Sequence, residues 1–177
     1  MVTFDPSLGF IGDNQGHVTL ESADYFAHMP AWARVSPEPT GSVLVIDNDS
    51  SWLLGLDDYQ PYYTSVLDNL GIDYDVWVAD YYYGNATTIP DAAWLAAYDA
   101  VIYFTGDHYQ PDGTYTVATP LTALDMNILT EYANGGGVII AMGQDMAAVL
   151  ASDVYDDGTL FYNFVLGGNW LQDSVTN

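Results

Sequence analysis

Three apolar runs end in acidic residues. Val43-Leu44-Val45-Ile46 leads into Asp47-Asn48-Asp49, Ala100-Val101-Ile102-Tyr103-Phe104 into Thr105-Gly106-Asp107, and Val138-Ile139-Ile140-Ala141-Met142 into Gly143-Gln144-Asp145. Carboxylates that converge repel one another, so one must keep a proton or a cation must neutralise them. The usual partner is Lys or Arg, but residues 41–177 contain neither. Three answers remain: a bound cation, backbone N–H groups at helix N-termini, or a raised pKa. Hard oxygen ligands without His or Cys favour calcium or magnesium over zinc. The expected metal ligands are Asp47, Asp49, Asp107 and Asp145, with calcium as the expected ion. His108, Gln144 and Tyr82 complete the candidate ligand-binding set. The plainer reading is structural, since Asp145 stands where it would cap a following helix.

Other motifs are weaker. Asp47 through Asp58 has the length of an EF-hand loop, but the turn glycine is replaced by Trp52 and the last ligand is not Glu. The motif is rejected, and a looser calcium loop there stays open. Asp153, Asp156 and Asp157 before Gly158 read as a solvated acidic turn. No Gly-x-Ser-x-Gly elbow is present, so a Ser-His-Asp triad has no seat. His108 beside Asp107 is the one catalytic-looking pair, and a hydrolase using Asp107, His108 and Asp145 is a minor alternative. No catalytic residue is expected. Gly135-Gly136-Gly137 follows a helical pattern and precedes a strand, the reverse of a phosphate loop, so it reads as a helix stop. Tyr59, Tyr62, Tyr81, Tyr82, Tyr83, Tyr109 and Tyr115 fall near the strand ends in sequence, where rings beside carboxylates suit sugar or peptide and ordinary rim packing is the alternative. Asn48 and Asn85 both open glycosylation sequons, and Asn85 is the one expected in a loop.

These residues need a scaffold. From Ser42 onward strand-like runs alternate with helical patterns. Pro61 opens a helix with Tyr63, Val66, Leu67 and Leu70 on one face and Gly71 as its stop. Asp91 to Tyr98 is a short helix. Thr122-x-x-Asp125 starts another, with Ile128, Leu129 and Tyr132 inward. Helical stretches follow at 146–150 and 160–166. With Tyr74 to Ala79 as a second strand between the runs at 43–46 and 100–104, strands alternating with helices predict an α/β fold, a three-layer parallel sheet of flavodoxin-like order 2-1-3-4 with a switch point between strands 1 and 3. Residues 1–40 differ: Val2-Thr3-Phe4 and His17–Glu21 alternate at period two, with Gly12–Gly16 as a turn between them. Ser36–Gly41 reads as a stiff linker. The expected domains are therefore a β appendage over 1–40 and an α/β domain over 41–177.

Composition bounds the function. Among 177 residues, 24 acidic side chains face one basic one, Arg34, for a net charge of −23. Such a chain lacks the cationic surface that nucleic acid or an anionic membrane requires. Half of the residues are hydrophobic and 15% aromatic, which argues against disorder. There is no Cys, hence no disulfide, thiolate metal site or Cys nucleophile. No apolar stretch reaches the ~18 residues of a spanning helix, so no membrane insertion is expected. The N-terminal residues lack the charge and apolar core of a signal peptide. The acidic, Lys-free, Tyr-rich composition fits an extracellular, cell-surface or high-salt protein.

Several stretches taken together carry a resemblance. Val43–Asp49, Tyr62-Tyr63-x-x-Val66-Leu67-Asp68-x-Leu70-Gly71-Ile72-x-Tyr74-Asp75-Val76-Trp77, Tyr98–Asp107 and Leu121-Thr122-x-x-Asp125 through Asp145 resemble the class I glutamine amidotransferase-like domain of large secreted bacterial proteins. The resemblance covers residues 42–170 and implies an accessory domain that accompanies subtilisin-like serine proteases and similar surface proteins. True amidotransferases carry a Cys on the turn comparable to Gly143-Gln144-Asp145, so glutaminase activity is not implied. Residues 1–40, with Gly16–Leu20 and Met29–Val35, are similar to the last strands of a fibronectin-III-like domain. The expected partners are other domains of the same polypeptide, with homo-association through the N-terminal strands as a structural alternative and a carbohydrate- or peptide-binding module as another.

Overall fold

A computed structural model describes residues 12–35, 38–82, 87–107, 121–144, 146–151, 158–169 and 171. Contacts divide the chain into two units, Met1–Glu38 and Pro39–Asn177.

In the first unit, strands β1 (Gly12–Glu21) and β2 (Phe26–Val35) form an antiparallel ribbon. This corrects the turn expected at Gly12–Gly16. Those residues begin β1, and the chain reverses at Ser22–Tyr25, where Ser22 N donates to Tyr25 O at 2.8 Å. Cross-strand bonding over ten paired positions overrides the local turn preference of Gly and Asn. Pro30 sits within β2 opposite His17; each strand of a two-stranded ribbon has an open edge, which tolerates the missing N–H. The pairing places Val18, Leu20, Ala27 and Met29 on one face, and Leu20 is 70% exposed. A ribbon of this kind is marginal in water when alone. The expected Val2–Phe4 strand lies outside the described residues.

The second unit is a three-layer α/β fold. Strands β3 (Val43–Asp47), β4 (Tyr74–Val78), β5 (Ala100–Phe104) and β6 (Val138–Met142) are parallel and ordered β4-β3-β5-β6. Numbered within the unit this is 2-1-3-4, and the switch point lies between β3 and β5. The central strands are buried on both faces, which is why they read as unbroken apolar runs. On one face Leu44, Ile46, Val101 and Tyr103 meet Leu95 of α3 (Ala92–Leu95) and Met126, Leu129 and Tyr132 of α4 (Ala123–Asn134). Helix α5 begins at Met146, and Phe161 heads a π-helical turn; both residues join this core. On the other face Val45 and Phe104 lie under α2 (Gln60–Leu70), with Tyr63 stacked on Phe104 at 4.2 Å.

Helix α2 begins with Pro61 in its first turn and ends at Gly71 in the left-handed region, φ 67°, which glycine adopts at little cost. Only Tyr63 and Leu67 turn inward; Val66 and Leu70 are exposed. One short helix covers the two central strands and no more, so Ile140 and Met142 on edge strand β6 also stay partly exposed. Thr122 and Asp125 form the anticipated capping box: Asp125 N donates to Thr122 Oγ1 and Thr122 N to Asp125 Oδ2, both at 3.1 Å. Among the described residues no helix is long and apolar enough to cross a membrane.

Candidate metal centre

Strand β3 delivers Asp47 at its carboxyl end, beside the switch point. The chain then turns through Asn48 and Asp49 into α1 (Ser51–Leu54), a four-residue helix absent from the sequence expectations. Ser50 adopts φ 59°, the one positive-φ non-glycine among the described residues. Such a conformation costs energy and persists only where its surroundings fix it. They do so here. Asp80, 4% exposed in the 3₁₀ turn Ala79–Tyr82, accepts from Leu53 N (3.3 Å) and from Ser50 Oγ (3.5 Å).

Asp47 and Asp49 are 4% and 0% exposed. Asp49 accepts Ser51 N on Oδ1 (2.9 Å) and Tyr59 N on Oδ2 (2.7 Å). Asp47 accepts a long bond from Asp49 N, 3.3 Å. Burial pushes the Asp47 carboxyl up to about 7, and the neighbouring charges of Asp49 and Asp80 push the same way. Asp58, exposed on the loop before α2, brings a third carboxylate: one oxygen from each of Asp47, Asp49 and Asp58 lies within 4.8 Å of the others.

This set overlaps the expected one without matching it. Asp47 and Asp49 converge as anticipated. The third member is Asp58, the residue at the far end of the rejected EF-hand spacing. A loop folded back on itself can reunite ligands whose spacing fits no standard loop. Asp107 stands apart, exposed, accepting Tyr59 Oη at 2.6 Å. That bond drives the Tyr59 phenol up to about 12. Gly106 makes the approach feasible: a Cβ there would lie 2.5 Å from the Tyr59 ring, and its φ is 50°. Gln144 is exposed and donates its N–H to Gly106 O at 3.0 Å. Tyr82 stacks on Trp77 at 4.4 Å. His108 and Asp145 lie outside the described residues.

Asp80 was not among the expected site residues, although it directly follows strand β4 and so carried the same signal, an acid at a strand end, as Asp47. Asn48 is buried, its amide donating to Tyr103 Oη at 2.7 Å, so the folded chain closes that sequon. The Gly143 turn is equally tight. A Cβ on Gly143 would fall 1.8 Å from Thr105 Oγ1, the one buried side-chain polar atom without a partner among the described residues.

Chemically, the site offers three carboxylates and, among the described residues, no side chain of opposite charge beside them. A carboxylate oxygen keeps a free lone pair after accepting one N–H, so Asp49 can still bind a cation. Calcium takes six to eight oxygens in flexible geometry, some from carbonyls and water, and suits an irregular loop better than magnesium's strict octahedron. Beyond this chain's own chemistry nothing assigns it: no family model, curated protein or solved structure matches it.

Proposed function

We propose that the chain is a non-catalytic accessory domain of a secreted, multidomain protein of the subtilisin-like protease or cell-surface kind, held rigid at its switch point by calcium. The observation that supports this reading is the gathering of Asp47, Asp49 and Asp58 within 4.8 Å, two of them buried, in a unit whose sequence contains no Lys or Arg. Removing such charges from water is costly unless they are neutralised or paired, and a divalent cation would meet all three at once where a proton on Asp47 meets one. The turn at Gly143-Gln144 carries no nucleophile, in keeping with a binding or structural role.

Calorimetry of the whole chain tests the cation. Calcium in large excess over its Kd should stabilise the fold by about 3 kcal/mol relative to chelator. For a chain of this size that is a rise in Tm of roughly 6–12 °C. Asp49→Asn should abolish the rise, and magnesium should give a smaller one. An unchanged Tm in calcium would refute the metal centre.

A second reading rests on the N-terminal ribbon. Its Leu20, Phe26, Met29 and Trp32 side chains are all more than half exposed. Packing the face that carries Leu20 and Met29 against another copy would bury those two, and strand addition would pair the open edges. Sedimentation of the whole chain against a Leu20→Asp, Met29→Asp variant tests this, and a monomer in both cases would exclude it.

A further inference from the structure

A cavity of ≈ 470 Å³ opens at the amino edge of the sheet, between α3, the end of α4 and the turns that enter β5 and β6. None of the three clustered carboxylates lines it. Ala93 and Ala96, both exposed, turn one wall into methyl groups, and the buried rings of Tyr98 and Tyr132 back the cavity. Asp99, just before β5, and Glu131, in the last turn of α4, bring two exposed carboxylates to it. Gly135, Gly136 and Gly137 complete the lining.

The donors at this place are spent inside the protein. Tyr98 Oη donates to Asp75 Oδ2 at 2.9 Å, and Tyr132 Oη to Tyr98 O at 3.0 Å. The N–H groups of Gly135, Gly136 and Gly137 donate to Glu131 O, Ala133 O and Tyr132 O, at 3.0, 2.9 and 3.1 Å. The ionised carboxylates of Asp99 and Glu131 can only accept. Helix α4 also ends here with no basic residue in its last turn, so the negative end of its dipole adds to theirs. The unit has no Lys or Arg to answer these charges.

Such a cavity selects a cation that carries several donors on an apolar stem. A guanidinium supplies five N–H donors in one plane, can serve two carboxylates at once and is more weakly hydrated than an ammonium. The methylenes of its side chain would lie on the alanine methyls while the charged head meets the acids. The glycine turn bears on where that side chain comes from. Gly136 has φ 97°, and a Cβ on Gly137 would fall 2.2 Å from the Tyr132 ring, so both positions stay bare. A wall of bare main chain lets another main chain approach closely.

We propose that this cavity binds an arginine side chain of a partner polypeptide, its guanidinium shared by Asp99 and Glu131. The site is independent of the metal centre, which lies at the other end of the strands.

The test is a ¹⁵N NMR titration of the whole chain, in calcium and in chelator, with the end-blocked pentapeptide Gly-Ser-Arg-Ser-Gly. Saturable shifts should centre on the amides of Ala93, Ala96 and Gly135–Gly137 in both conditions. Asp99→Asn and Glu131→Gln should each weaken binding about three-fold or more, the loss of one charge-assisted contact at an exposed position. Ala93→Phe, which fills the cavity from an exposed position, should abolish it, and Ala96→Phe serves where circular dichroism shows that variant unfolded. Citrulline in place of arginine keeps the shape without the charge and should not bind. Lysine should bind more weakly than arginine, and argininamide alone more weakly than the peptide. Asp107→Asn, at the other edge of the sheet, should change nothing. The inference is overturned if the shifts spread over the acidic surface with no centre, if both carboxylate variants bind as the parent does, or if citrulline or lysine binds as tightly as arginine. Argininamide that binds as tightly as the peptide would overturn the polypeptide source.

Discussion

Two carboxylates of the same sheet meet opposite fates. Asp75, on β4, is answered by the Thr40 hydroxyl, by the N–H groups of Thr40 (2.7 Å) and Gly41 (3.1 Å), and by the Tyr98 hydroxyl (2.9 Å). Partial burial pushes its carboxyl up, but those donors outweigh burial and hold it at about 2. Asp47, at the end of neighbouring β3, receives a long bond from Asp49 N and faces Asp49 and Asp80; it rises to about 7. Neither has a Lys or Arg in its unit. The difference teaches that, in a domain without Lys or Arg, hydrogen-bond donors take over the role of counter-charges. Where donors are few, the unmet charge marks the place for a proton or a metal ion.

The largest effect is expected where the donors are most completely organised. Asp125 is fully buried and accepts from Thr88 N (2.9 Å), Thr88 Oγ1 (3.0 Å) and Thr122 N. Asp125→Ala removes the reciprocal half of the capping box and strands the buried Thr88 N–H and hydroxyl, which should cost about 3–5 kcal/mol in urea melts. A loss below ~1 kcal/mol would show that these donors are not needed as counter-charges.

Asp47 should impose a pH slope. Its folded pKa, about 7, lies above the ordinary 3.8. Between those values the folded state keeps a proton that the unfolded state has lost, so stability falls as pH rises, by something on the order of 3 kcal/mol in chelator. Asp47→Asn, or saturating calcium, should flatten the slope. A slope that survives Asp47→Asn would assign it to other groups.

Asp75 has the opposite sign. Its folded pKa is lowered, so its contribution is present above 3.8 and disappears as pH falls through about 2. Asp75 is partly exposed, and screening reduces the contribution to about 1 kcal/mol. Asp75→Asn should lower stability at neutral pH by that amount and leave the acid limb of the curve flatter. The smallest effect concerns Asp107. Asp107→Asn should return the Tyr59 phenol from about 12 toward its ordinary 10.0, read by NMR of ¹³C-labelled tyrosine, with stability unchanged. An unmoved phenol would break the link between the two side chains.

Much of the scaffold was legible in advance because its signals are local. Val43–Ile46 and Ala100–Phe104 are apolar throughout, as strands buried on two faces must be, and the edge strand Val138–Met142 is apolar too although one of its faces stays exposed. Pro61 and Gly71 bracket one helix, and Thr122 with Asp125 starts another. The ribbon was misread at Gly12–Gly16 because turn-forming residues also occur in paired strands, where partner bonds and not local preference decide. The two unforeseen features of the site, α1 and Asp80, have separate causes. Four residues hold too little periodicity to announce a helix. Asp80 stands at a strand end as Asp47 does, but its burial by a loop from elsewhere in the chain leaves no trace in its own neighbourhood.

Sequence alone settled the charge problem: many acids, one base, and a unit from residue 41 onward with no internal cation. It also marked which runs form the sheet, and the flavodoxin-like order expected for them is the one observed. Only the tertiary structure decided which acids share a space. Asp58 joins Asp47 and Asp49 while Asp107 turns to Tyr59, because convergence depends on how loops fold across the sheet edge, over distances that spacing along a chain does not encode.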